Sequence, residues 1–185
     1  RSVGNTASAE ALVWSIGSIL ALFSVLGLVV YVVHRYGFFF GEARAVEAAY
    51  RLGEYPEVHS RAQEFADRHG DSPLHAHVQF LDGAALLALG KAPEAAALFE
   101  KLVPALEEPS LAQAAGMQWA EALAQLGRDK EAAEQYRRIG EDPQSPWRTA
   151  ARLRRAALAL KAGQSGPALA QCLPLLEDLP AGEAR

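Results

Sequence analysis

Residues 89–95 read Leu-Gly-Lys-Ala-Pro-Glu-Ala, and the same form of sequence returns three more times along the chain. The counterparts are Leu52–Val58 (LGEYPEV), Leu126–Ala132 (LGRDKEA) and Ala162–Ala168 (AGQSGPA). Their glycines, Gly53, Gly90, Gly127 and Gly163, are spaced 37, 37 and 36 residues apart. A fixed period of this length marks stacked supersecondary units. Five residues beyond each glycine stands Val58, Ala95, Ala132 or Ala168; four further on stand Ala62, Phe99, Tyr136 and Cys172. A glycine that accepts a left-handed conformation ends one helix, and the small residue lets the next helix approach closely. Between units, Asp71-Ser72-Pro73, Glu108-Pro109-Ser110, Asp142-Pro143 and Leu179-Pro180 punctuate the chain again. Each unit therefore reads as an antiparallel helix pair, too small to bury its apolar face without a neighbour.

Outward from the repeat, composition supports helix alone. From residue 42 onward the only β-branched residues are Val46, Val58, Val78, Val103, Ile139 and Thr149, and no stretch alternates with period two. Upstream the solvent changes. Residues 11–33, ALVWSIGSILALFSVLGLVVYVV, carry no charge. Twenty-three helical residues extend roughly 35 Å, enough for a hydrocarbon core of about 30 Å. Ser15, Ser18 and Ser24 can bond back to their own helix carbonyls. Trp14 at one end and Tyr31 and Tyr36 at the other suit the headgroup level. A cleaved signal peptide would have a shorter apolar region, and HRYGFFFGEAR is a poor cleavage site. The expected organisation is a flank at 1–10, a transmembrane helix at 11–33, a connector at 34–41, repeats at 42–180 and a tail at 181–185. The fold class is all-α: one membrane helix followed by a solenoid of three to four helix pairs.

These units resemble tetratricopeptide repeats. The likeness lies in the turn glycine, the following alanine, the aromatic at Phe99 and Tyr136, and the closing proline. Gly83, and Trp119 with Ala120, fall in comparable places on the first helices. A membrane helix followed at once by such repeats is similar to the YfgM-like family of bacterial inner-membrane proteins, whose closing segment resembles PWRTAARLRRAALALKAGQ here. That resemblance implies a single-pass inner-membrane protein with periplasmic repeats that accompanies the protein-export channel and periplasmic chaperones. The cation count, Arg1 before the span against Arg35, Arg44 and Arg51 after it, by itself favours cytoplasmic repeats.

The chain of 185 residues has a net charge of −4, which disfavours nucleic acid as a partner. No GxGxxG, GxxxxGK[ST], GxSxG or HExxH is present. The expectation is a non-enzyme without cofactor or metal. His59, His69, His75 and His77 read as solvent-facing residues around the first inter-unit turn, with His75 and His77 spaced wrongly for a helical metal pair. Cys172, among Leu169, Leu173 and Leu176, reads as a buried thiol. Arg137, Arg138, Arg148, Arg152, Arg154 and Arg155 form a basic group, in which Arg148, Arg152 and Arg155 share a helix face. That face either bridges to Glu134, Glu141 and Asp142 or docks an acidic partner or anionic headgroups. Projected through the repeat, Glu47, Tyr50, Phe80, Ala84, Leu87, Met117, Glu121, Leu153 and Ala157 line one side, an apolar groove suited to a hydrophobic helix or extended peptide. Gly17 with Ala21, and Gly27, offer close-approach points on the span. The function expected is a docking scaffold within a larger membrane complex, with other integral membrane proteins and lipids as partners. The alternative is a structural subunit of a respiratory, photosynthetic or motor complex, docked through its span.

Overall fold

The computed structural model describes residues 4–177; within 4–39 and 171–177, side chains are described only for Trp14, Ser18, residues 20–32 and Cys172. The chain divides into two units, Arg1–Glu42 and Ala43–Arg185. Helix α1 (Gly4–Leu52) runs through the first and supplies its last turns to the second. In the first unit every described side chain from Leu20 to Val32 is exposed, and the apolar residues leave no polar stripe. The serines do what an apolar medium would require of them. Ser18 Oγ donates to the Trp14 carbonyl at 2.8 Å and Ser24 Oγ to the Leu20 carbonyl at 2.9 Å. Among the described residues no helix is long and apolar enough to cross a membrane. The expected span at 11–33 extends beyond the side chains described without a break, and Ser15, Tyr36, Phe38 and Phe39 lie outside them.

The second unit is all-helical. The end of α1 is followed by α2 (Tyr55–His69), α3 (His75–Ala88), α4 (Ala92–Leu102), a 3-10 turn at Val103–Ala105, α5 (Pro109–Gln125), α6 (Asp129–Glu141), α7 (Arg148–Lys161) and α8 (Ser165–Glu177). From α2 to α8 each helix packs on the next, and α3 also packs on α5. This sequential packing is consistent with a helical repeat. The closing punctuation at Leu179–Pro180 and the tail lie outside the described residues.

The periodic glycines carry the architecture. Gly53, Gly90, Gly127 and Gly163 have φ of 77°, 74°, 74° and 74°, the left-handed region that costs other residues roughly 1–2 kcal/mol. The same closure forms at all four turns. The amides of Glu54, Lys91, Arg128 and Gln164 reach back to the carbonyls of Ala49, Leu86, Leu123 and Ala159 at 2.8–3.0 Å, satisfying acceptors that a helix end would otherwise strand. Helix starts use another device. Proline stands in the first positions of α2, α4 and α5, where its fixed φ suits the helix and its missing N–H is not needed.

Three apolar clusters repeat the same composition of helices. The first joins Ala43, Val46 and Ala49 of α1 to Val58, Ala62 and Phe65 of α2 and to Val78 and Leu81 of α3. The second gathers Leu86, Ala95, Phe99, Ala115 and Ala122; the third gathers Ala120, Leu123, Ala132, Tyr136, Ile139 and Ala151. Each cluster takes a pair plus the first helix of the following pair, which is why one pair alone could not hold it. The expected small residues Val58, Ala95, Ala132 and Ala168 are all buried. Gly83 shows the demand most clearly. A Cβ built there would lie 2.8 Å from Phe99 Cε2 and 2.9 Å from Cε1, so the buried ring occupies the space that glycine leaves. Burying a ring such as Phe99 contributes about 1.5–3 kcal/mol.

Two expectations need correction. Cys172 is half-buried rather than buried; Leu169, expected to enclose it, is 64% exposed. The histidines do not all face solvent: only His77 is exposed, while His59, His69 and His75 are half-buried.

Candidate docking surface

The repeat register brings the expected groove residues to the first helices of the pairs, but their surroundings differ. Tyr50, half-buried on α1, packs edge-on against Tyr55 with ring centroids 5.9 Å apart, and burial pushes its hydroxyl pKa up. Phe80 on α3 is half-buried between the first and second clusters and meets Phe99 edge-on at 6.4 Å. Ala84 and Leu87 are buried, so they serve the core more than any surface. Met117 on α5 is half-buried against the third cluster, whereas Leu153 and Ala157 on α7 are exposed. The apolar lining is therefore discontinuous: well packed at α3, open at α7.

Glu121 of α5 stands at a junction of three helices. Its Oε2 accepts from the Tyr136 hydroxyl of α6 at 3.2 Å and lies 3.6 Å from Arg154 Nη1 of α7. Burial, and then the neighbouring Glu121 carboxylate, push the Tyr136 hydroxyl pKa far above its usual value. The tyrosine's bond to the carboxylate joins the two helices of the third pair, and Arg154 links the same carboxylate to the first helix of the fourth.

The basic face resolves into separate roles. Arg137 bonds Glu134 at 2.8 Å and Glu141 at 2.5 Å, and Arg138 reaches Glu134 at 3.2 Å. Hydrogen bonds from Arg137 first, then Arg138, hold the Glu134 carboxyl down to about 2. These pairs are the local bridging expected of an exposed helix face. Arg152 instead crosses to another helix, where its Nε donates to the Gly140 carbonyl at 2.9 Å. Gly140 makes the contact possible, since a Cβ there would sit 3.1 Å from Arg152 Cγ. Arg152 thus caps the end of α6. Arg148 and Arg155 are half-buried; Arg148 Nε and Arg152 Nη1 are buried without a hydrogen-bond partner among the described residues. The Arg148, Arg152 and Arg155 group is an inter-helix seam more than a free cationic patch. On α1, Trp14 is 77% exposed and Tyr31 62%.

Sequence reasoning missed one feature of the second pair. Asp82, 3% exposed, accepts from or shares a proton with His59 Nδ1 at 2.7 Å, and His59 Nε2 lies 3.2 Å from Gln63 Nε2. Burial raises the Asp82 pKa; the His59 hydrogen bond and charge act against that rise, with Glu94 raising it and Lys91 lowering it from farther away. The signal was present in VQFLDGAALLAL, residues 78–89, where one carboxylate interrupts an apolar run. No protein-family model matches the chain, and no curated protein matches it.

Proposed function

We propose that this chain is a non-enzymatic, membrane-anchored scaffold whose tetratricopeptide-like repeats dock partner proteins. The observation that carries the reading is the fourfold recurrence of one turn, glycine at φ 74–77° with the same back-bond, because it makes the unit a stack of equivalent helix pairs. Such stacks create extended concave binding surfaces. The uncharged segment at 11–33 supplies the anchor, and the serine back-bonds and exposed apolar side chains between Leu20 and Val32 support placing it in lipid. The likeness to YfgM-like proteins extends the proposal to the bacterial inner membrane, with periplasmic repeats serving the protein-export machinery.

A second reading is favoured by the same exposed apolar surface of α1. In it the span docks the chain as a structural subunit of a respiratory, photosynthetic or motor complex. Gentle detergent extraction of the tagged full chain, followed by mass spectrometry of what co-purifies, separates the two. Export-channel subunits and chaperones in fixed ratio support the first reading. Redox or ion-translocating subunits in their place support the second, and recovery of the chain alone defeats both.

A further inference from the structure

Two adjoining clefts open at the N-terminal ends of α3, α5 and α7, away from the glycine turns. One, of about 670 Å³, lies between the α2–α3 turn and α4 and includes Asp71, His75 and Lys101. The other, of about 790 Å³, reaches from α3 past α5 to Trp147. Pro73, Ala76, Ala105 and Leu106 border both, so the two form one crevice. The connection from α4 to α5 contributes Ala105 and Leu106 to both parts. After α4 the chain makes a 3-10 turn and then runs extended, with Leu106 at φ −81°, ψ 121° and Glu108 at φ −79°, ψ 115°.

The walls of the larger cleft specify its occupant. Its floor is apolar, from Leu106, Leu111, Ala114 and the 40% exposed ring of Trp147. Its rim carries Glu107 and Glu108, both exposed, and no lysine or arginine lines it. The Glu108 carboxylate accepts from the Ser110 hydroxyl, and neither glutamate is in an ion pair among the described residues. The amide and carbonyl of Glu107 join no backbone hydrogen bond there. An extended peptide can pair with such a free backbone segment. Rim carboxylates attract a cation without strongly desolvating it, and an indole face also receives ammonium or guanidinium groups.

We propose that the crevice holds an extended segment of a partner polypeptide in which a bulky apolar residue is followed within two positions by lysine or arginine. The apolar side chain enters the floor beside Trp147, and the cation lies against Glu107 and Glu108. This deepens the scaffold reading by naming the chemistry of one class of client, and it rests on that reading only in requiring a polypeptide partner.

The test uses the full chain in a zwitterionic detergent and two fluorescein-labelled heptapeptides, Gly-Lys-Leu-Phe-Lys-Leu-Gly and its counterpart with glutamate for lysine. Fluorescence polarisation is expected to register the basic peptide at least tenfold tighter than the acidic one. The double substitution Glu107→Lys with Glu108→Lys, at exposed positions, should reverse that preference, and Trp147→Ala should weaken the basic peptide at least fivefold. Thermal melting of each variant confirms that the fold is retained. Equal binding of both peptides, binding unmoved by the charge reversal, or no binding below about 1 mM overturns the proposal. So does self-association of the native chain that the double substitution abolishes, because the crevice would then hold a second copy. If the basic peptide binds as expected while co-purification brings down no partner, the scaffold assignment fails and the crevice stands. The reverse result leaves the scaffold without this site.

Discussion

Helices α3 and α7 occupy the same place in their pairs and end at the same glycine turn, yet they are buried to different extents. On α3 every residue from Leu81 to Leu87 is buried, whereas on α7 only Ala151 and Ala156 are. Matched positions make the contrast concrete: Leu87 is 9% exposed and Leu160 is 60% exposed. Both helices are rich in alanine and leucine, but α7 also carries Arg148, Arg152, Arg154, Arg155 and Lys161, where α3 has Asp82 alone besides its histidines. Neighbours add to that difference. α3 packs on α2, α4 and α5, and α7 packs mainly on α6 and α8. In a stacked array each pair draws stability from its own cluster and from the interface on either side, so α3, enclosed by three helices, has more to lose than α7.

The largest expected break of this comparison is Phe99→Ala. The ring is fully buried over Gly83, and its loss should cost about 3–5 kcal/mol in urea denaturation. Gly83→Ala should cost roughly 1–3 kcal/mol by overpacking against the same ring. Combining it with Phe99→Leu should recover part of that cost; a double variant that merely adds the two effects would show that the ring and Gly83 are not coupled.

Asp82 gives an inner-helix effect that changes with pH. Burial raises its folded pKa above the ordinary value of 3.8. The sign follows from linkage: the protonated form is favoured by folding, so this group's contribution is full below the ordinary carboxylate pKa and is lost as pH rises through the raised one. Asp82→Asn, which keeps an acceptor toward His59, should flatten that part of the stability profile. It should also make the variant relatively more stable toward neutral pH than toward acid. Melting curves of both proteins from below the ordinary carboxylate value of 3.8 up to neutral pH would show parallel profiles if Asp82 were not responsible. The smallest effect belongs to the outer helix. Leu160→Ala should change stability by no more than about 0.5 kcal/mol, and an effect matching a core leucine would mean that α7 is covered as α3 is.

What could be read from sequence and what could not divide along physical lines. The turns were legible because a left-handed backbone at Gly53, Gly90, Gly127 and Gly163 selects glycine locally. The small residues following them were legible because close helix approach repeats with the period. The link from Asp82 to His59 spans 23 residues, and no spacing rule predicts which half-apolar helix will supply a partner. Arg152 is similar: it belongs with Arg148 and Arg155 on a helical wheel, but Gly140, on the preceding helix, decides where its guanidinium goes. The crevice depends on how a six-residue connection folds, and the composition of 103–108 carries no periodic signal for that. The difference in burial between α3 and α7 was legible in part, in the arginines of α7, whereas which helices pack on each was not.

The uniform turns also make the chain divisible. Removing residues 91–127 would leave Gly90 joined to Arg128, the residue type and conformation that already follow Gly127, with the helices before and after still in phase. A duplication at the same points would be equally seamless. The molecule can therefore change length in whole bricks of 37 residues, and a reach to a more distant partner could be gained by copying one brick rather than redesigning any surface.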